Sequence, residues 1–312
     1  MDPNLVFWKN EGQSFFSRFR IWFNILDPLS QLSTDDEILK ARARLKSEDK
    51  QSEQDALNLS LVSVHADSGA ILPLLFRPPV FWPISAPLVY ASFLPFNSVK
   101  PALFYQFLLQ SYNTGFNYAN RNSSSEQKKR MSLNQLLLIA GTISYTTCAG
   151  ALPQIIINRL HVKSVPVQTF CRSILPIPLA AVLAFFNVMT VRSQEPDNGI
   201  QVFDSNGNSV GFSKAAGEKA VRETAVSRAA LMGTAAAVPN LLVLFLHRLR
   251  FVQRNVILAA SVRPVSVTLI LSLMIPVSFS LFPQLAAIKK EELEAELQAA
   301  AVDGHLLYHR GL

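Results

Sequence analysis

"SLNQLLLIAGTISYTTCAGALPQIIIN", residues 132–158, contains no Asp, Glu, Lys or Arg. A helix needs about 20 apolar residues to cross the ~30 Å hydrocarbon core of a bilayer, and this run is long enough. Three further charge-free runs follow: Ser173 to Val191, Ala229 to Leu246 and Pro264 to Ile288. Over the 312 residues apolar types make up 49% and charged types 16%, with a mean hydropathy of +0.23. A soluble domain carries about 25% charged residues. The deficit is concentrated in the runs, so the expected fold is all-α: a polytopic helical membrane protein with about five transmembrane helices.

The spans are expected near 98–118, 133–157, 173–191, 229–247 and 265–288. Residues 1–75 form a polar N-terminal domain, 76–288 the transmembrane domain and 289–312 a polar C-terminal tail. In the first of these, "FFSRFRIWFNILDP" alternates aromatics with Arg18 and Arg20 and stops at Asp27-Pro28. It reads as an amphipathic helix that lies on a membrane or packs on the bundle. "STDDEILKARARL" has a Ser33 or Thr34 cap, early acids and late bases, the pattern of a surface helix. "HADSG", His65 to Gly69, is a polar turn. The stretch from Phe76 to Phe96 is apolar but holds Pro78, Pro79, Pro83, Pro87 and Pro95. It is expected to be broken, interfacial or re-entrant, because an interior helix proline costs about 3 kcal/mol. Between the third and fourth spans, residues 192–228 are a polar insert. There "IQVFDSNGNSV" predicts a small β-hairpin turning at Asn206-Gly207, followed by a charged helix capped by Ser213.

The N-terminal sixteen residues, with Asp2 and Glu11, fit neither a secretory signal nor an acid-poor presequence. A mitochondrial address is therefore expected to be internal. The loops 158–172 and 247–264 hold seven bases and no acids, whereas 119–132 holds Arg121, Lys128, Lys129 and Arg130 against Glu126. This bias puts the N-terminus on the positive side of the membrane. The net charge of +7 suits an anionic leaflet, and no basic block interleaved with aromatics points to nucleic acid.

The chemistry-bearing residues are amides. Gln106, Gln110, Asn113 and Asn117 follow one another at steps of 4, 3 and 4, with Asn120 extending the row. At about 100° per residue they share one helix face. In lipid such groups need partners. They serve either as glue between helices or as the lining of a cavity for a zwitterion. Prolines interrupt the other spans, and broken spans are where transporters place substrate. Asn187, Asn240 and Gln284 lie near such breaks and join the candidates. Cys148 reads as a small packing residue within a span. His305 and His309, four apart on a supposed helix face, lack a third ligand and make a weak metal signal. No metal or cofactor is expected. No nucleophile–base pair, phosphate loop or paired carboxylates point to an enzyme.

The order of the pieces is specific. "HADSG", "QSYNTGFNYANR", "GIQVFDSNGNSVGFS", "LFPQ" at Leu281 to Gln284 and a terminal "YHRGL" follow one another over nearly the whole chain. In this the sequence resembles the sideroflexins, a family of mitochondrial inner-membrane amino-acid carriers. "FRP" at 76–78, "GEKAVRET" at 217–224 and "IPVSFSLFPQ" point to a divergent branch. Ala66 and Ser68 replace the family's Pro and Thr, Leu109 an Asn, Met189 a Pro and Phe212 a His. The resemblance implies a carrier of small neutral amino acids in the inner membrane, and the departures imply that it is not serine-specific. For the divergent branch the alternative is a non-transporting factor in assembly of respiratory complex I and in iron–sulfur and iron homeostasis. Its partners would be complex I assembly intermediates.

Overall fold

The computed structural model describes residues 1–27, 33–45, 53–123, 133–246 and 248–312. The expected stop at Pro28 and the bases Lys128, Lys129 and Arg130, with Glu126, lie outside the described residues.

Four short helices open the chain: α1 (Pro3–Glu11), α2 (Phe15–Ile25), α3 (Asp35–Arg44) and α4 (Glu53–Ser63). Asp2 accepts from Asn4 N to start α1, and Ser14 accepts from Ser17 N to start α2. Thr34, one of the two expected caps, forms a capping box with Glu37. On α2, Arg18, Trp22 and Ile25 are spaced by four and three and face inward. Trp22 stacks on Trp8 at 5.3 Å and meets Phe279 edge-on at 5.1 Å. The amphipathic helix thus packs on the bundle, while its other face leaves Phe16 80% and Phe23 63% exposed. After α4 the polar turn closes on itself: His65 N donates to Ala70 O, and Gly69 N donates to His65 O with Gly69 at φ 68°.

Residues 78–92 are a continuous helix, α5 (Pro78–Ser92), and not a broken segment. Pro78 and Pro79 occupy its first turn, where no intrahelical N–H is missed. Pro83 and Pro87 lie inside it. Fifteen residues at 1.5 Å each reach about 22 Å, short of a full crossing. Next comes α6 (Val99–Ala119), then α7 (Leu133–Gly150) and α8 (Leu152–Arg159), bent by 49° at Ala151. Pro153 at the start of α8 accounts for the bend. A helical run from Val165 to Asn198 contains α9 (Val165–Thr169), a π turn at Phe170–Ile174, α10 (Pro176–Val191) and α11 (Gln194–Asn198).

The polar helix of the insert and the fourth span form one element, α12 (Lys214–Leu246), 33 residues long. Ser213 caps it as expected, its Oγ accepting from Ala216 N at 3.1 Å. A short α13 (Arg250–Arg254) leads to α14 (Val256–Ser280). Among the described residues three helices are long and apolar enough to cross a membrane: Val165–Asn198, Lys214–Leu246 and Val256–Ser280. The bent pair α7–α8 makes four if it is one span. The chain is a multi-pass helical membrane protein. The 98–118 segment forms the expected helix, α6, but its amides make it less apolar than these, and it packs among α5, α7 and α10.

The hairpin is present as β1 (Ile200–Phe203) and β2 (Ser209–Ser213), antiparallel, with Ile200 opposite Ser213 and Val202 opposite Gly211. Its loop runs over 204–208 and is longer than the two-residue turn read from the sequence. Asp204 caps the loop by accepting from Asn208 N at 2.7 Å, and Gly207 takes φ 88°. Asn206 is exposed, but Gly207 is buried against Met1. The C-terminal segment is not a free tail. It supplies β3 (Leu285–Lys289), a short α15 (Ala295–Gln298) and β4 (His305–His309), giving a four-stranded sheet in the order β2-β1-β4-β3. Val202 pairs with Tyr308, and Leu285 with His309. The sheet packs Val202, Ile288, Leu306 and Tyr308 against Ala216 and Ala220 of α12. His305 and His309 therefore lie on a strand, not on a helix. Cys148 is exposed, contrary to its expected packing role, because it lies on the outer face of α7.

Candidate functional site

α6 presents Gln106, Gln110, Asn113 and Asn117 along one face because steps of four and three close one helical turn. α10 faces it and contributes Asn187. These five amides line a partly open cavity among α5, α6, α10 and α12, enclosing about 1100 Å³ of empty space including its mouth. Asn117 Nδ2 donates to Asn187 Oδ1 at 2.8 Å, and Asn187 Nδ2 donates to Thr114 Oγ1 at 2.7 Å. Gln110 Nε2 donates to Gln106 Oε1 at 3.4 Å. Asn113 Oδ1 is buried with no partner among the described residues. The row is thus glue and lining at once. Its lower end ties α6 to α10, and its upper end faces space. Gly150 at the end of α7 lies against the Gln106 carboxamide so closely that a Cβ there would collide with it.

The remaining candidates lie elsewhere. Asn240, on α12, is fully buried away from this cavity, and both of its side-chain polar atoms lack partners among the described residues. Its neighbour Pro239 does not break the span, because α12 runs through it. Gln284 lines a smaller cavity beside the N-terminal helices, and its Nε2 donates to Phe279 O at 3.1 Å. Asn120 does not reach the amide-lined cavity; it borders the smaller one and donates to Phe76 O and Phe116 O, both at 2.9 Å.

Sequence reading missed Arg228. The charge-free run begins at Ala229, so the sequence places the arginine in the polar insert. In the continuous α12 it is 3% exposed and lines the cavity with the amides. Its Cζ lies 4.6 Å from the Phe279 ring centroid, 5.3 Å from Phe116 and 5.7 Å from Phe81. Faces of aromatic rings attract a cation. The signal available in the sequence was an arginine at the boundary of an apolar run with no acid a helical turn away: positions 224, 225, 231 and 232 are Thr, Ala, Leu and Met.

A second polar cluster joins the turn after α4 to the C-terminal strand. Arg192 and Glu195 form a buried ion pair, Nη2 to Oε2 at 2.8 Å. Arg192 also donates to Arg310 O at 2.7 Å and to Thr224 Oγ1 at 3.0 Å. Asn122 Nδ2 donates to both Glu195 Oε2 and His309 O at 2.9 Å. The His65 ring meets His309 edge-on at 5.6 Å. The "HADSG" turn and the "YHRGL" ending, far apart in sequence, are one structural unit.

The family model described as sideroflexins matches residues 4–312. The chain belongs to the sideroflexin family. Sideroflexin-4 of Danio rerio is 52% identical over 317 residues, covering 100% of both chains. Sideroflexin-4 of Homo sapiens is 35% identical over 100% of this chain and 93% of its own. Sideroflexin-5 of Homo sapiens is 28% identical over 96% of this chain and 90% of its own. No solved structure matches this sideroflexin. The likeness covers the bundle, the sheet and the cluster that joins them.

Proposed function

We propose that this sideroflexin is a carrier of small neutral amino acids in the mitochondrial inner membrane, not restricted to serine. The observation that supports it is the convergence of five amides from α6 and α10 on one cavity inside a membrane bundle. Amides offer donors and acceptors without fixed charge, so they solvate a zwitterion without binding it too tightly to release. The cavity sits where helices are interrupted: the bend at Ala151 and the π turn at Phe170–Ile174 both adjoin it. Freed backbone groups at such breaks add to the polar lining. The test is uptake of a panel of labelled small amino acids by liposomes holding the purified protein. Uptake of serine alone would sink the broad specificity, and uptake of none would remove the carrier reading.

A second reading rests on α2. Phe16 and Phe23 are strongly exposed on the face opposite Trp22, and an exposed apolar patch marks a partner or a lipid surface. On that reading the protein serves assembly of respiratory complex I and iron–sulfur homeostasis through its N-terminal helices. Phe16→Ser with Phe23→Ser would then lower complex I content while leaving amino-acid uptake unchanged.

A further inference from the structure

Five arginines are buried among the described residues, and four of them have hydrogen-bond partners. Arg18 donates to Ser280 O, Gly12 O and Gln13 O. Arg77 reaches Leu72 O and Asp35, Arg192 reaches Glu195, and Arg310 reaches Phe279 O. Arg228 differs: none of its three side-chain nitrogens has a partner among the described residues. An unpaired charge taken out of water costs several kcal/mol, and three ring faces offset only part of that. No Asp or Glu lies among the residues that line its cavity, while Arg172 adds a second positive charge there. The site therefore has cationic donors in excess, and the counter-charge has to come from the occupant.

We propose that Arg228 is the anchor for the carboxylate of the amino acid that this cavity binds. The inference rests on the carrier reading and adds to it a residue and a chemical group. The guanidinium fork matches a carboxylate with two parallel N–H···O bonds. The rings of Phe81, Phe116 and Phe279 hold its carbon, so its N–H groups remain for the ligand. At the amide row, Asn113 Oδ1 is a buried acceptor with no donor, and it suits the ammonium. One cation against one amide oxygen is an unequal pair. The carboxylate should therefore matter more to binding than the ammonium does.

The experiment uses the full chain in liposomes and in detergent, with L-alanine and L-serine as probes. Uptake of the labelled amino acids is competed with the unlabelled ones, with L-alaninamide and L-serinamide, and with propionate. Replacing the carboxylate by an amide should weaken competition by about 10- to 100-fold, the scale of a lost hydrogen bond to a charged group. Propionate should lose less than the amides do. Arg228→Gln should abolish uptake, and Arg228→Lys, which keeps the charge without the fork, should retain part of it. Thermal midpoints are read beside uptake: L-alanine should raise that of the unmodified protein and leave Arg228→Gln unmoved. Amides that compete as well as the acids, or normal uptake by a folded Arg228→Gln, would overturn the assignment. If Arg228→Gln does not fold, the competition on the unmodified protein decides. If nothing is transported but L-alanine still stabilises through Arg228, the carrier reading fails and the anchor stands. Absence of both uptake and stabilisation overturns the anchor as well.

Discussion

At the residue scale, the amide row gives the sharpest test. Asn117 donates to Asn187, which in turn donates to Thr114, so removing Asn117 leaves a buried acceptor unpaired. Asn117→Leu should cost about 1 kcal/mol of stability, the usual size of an interhelical hydrogen bond in a bilayer, and should strongly reduce uptake. Uptake is measured together with protease resistance and abundance in the membrane. Normal uptake by a stable variant would show that the pair only joins α6 to α10. Gly150→Ala probes the same cavity from α7. Its methyl group would displace the Gln106 carboxamide, so uptake should fall while Asn117 and Asn187 stay paired. Four of the seven candidate side chains follow from spacing alone, because a helix turns steps of three and four into one face, whereas Asn187 follows from its place near the prolines of its span. Arg228 could not be found that way. A charge at the end of an apolar run reads as a loop residue until the helix is seen to continue through it.

At the element scale, the junction between the sheet and the bundle is set by one carboxylate. Glu294 accepts from Lys214 N at 2.7 Å, Ala215 N at 3.0 Å and Ser213 Oγ at 2.8 Å, closing the first turn of α12. Partial burial pulls this carboxyl up, but the donors at Ala215, Ser213 and Lys214 outweigh it and hold it below the ordinary carboxylate range. A depressed carboxylate gives stability that is present above its unfolded value and is lost as pH falls through the folded one. Glu294→Ala should cost about 1 kcal/mol, as for a lost helix cap. Hydrogen exchange at Lys214 to Ala216 should speed up with it. Unchanged exchange would mean that Ser213 caps α12 unaided. The hairpin and its Ser213 cap were legible because Asn-Gly and a serine before a helix are local signals. The union of β1 with β4 was not, since over a hundred residues separate Val202 from Tyr308 and nothing local in "HLLYH" sets which strand it pairs with.

At the scale of the whole molecule, the turn after α4 and the C-terminal strand meet at two buried histidines. His309 Nδ1 lies 2.9 Å from Asn122 Oδ1, and His65 Nδ1 accepts from Asp67 N at 3.3 Å and Ser68 N at 3.4 Å. Burial lowers His309 well below the ordinary histidine value, and His65, Arg192 and Arg310 push the same way. Burial also lowers His65, with Asp67 opposing it and Arg192 and Arg121 assisting. Both rings are therefore neutral in the fold, while the unfolded chain takes up protons near pH 6.5. The unfolded state binds more protons below that value, so stability is full above it and falls as the solution is acidified. Acidification from pH 7.5 to 5.5 should lower the thermal midpoint of the protein in detergent. It should also open the sheet before the bundle, seen as faster exchange at Leu306 to Arg310. His309→Gln, which keeps an amide donor for Asn122 and removes the titration, should flatten that dependence. A midpoint that does not move between these two pH values, or an equal slope in His309→Gln, would show that the histidine pair does not set the stability of the clasp.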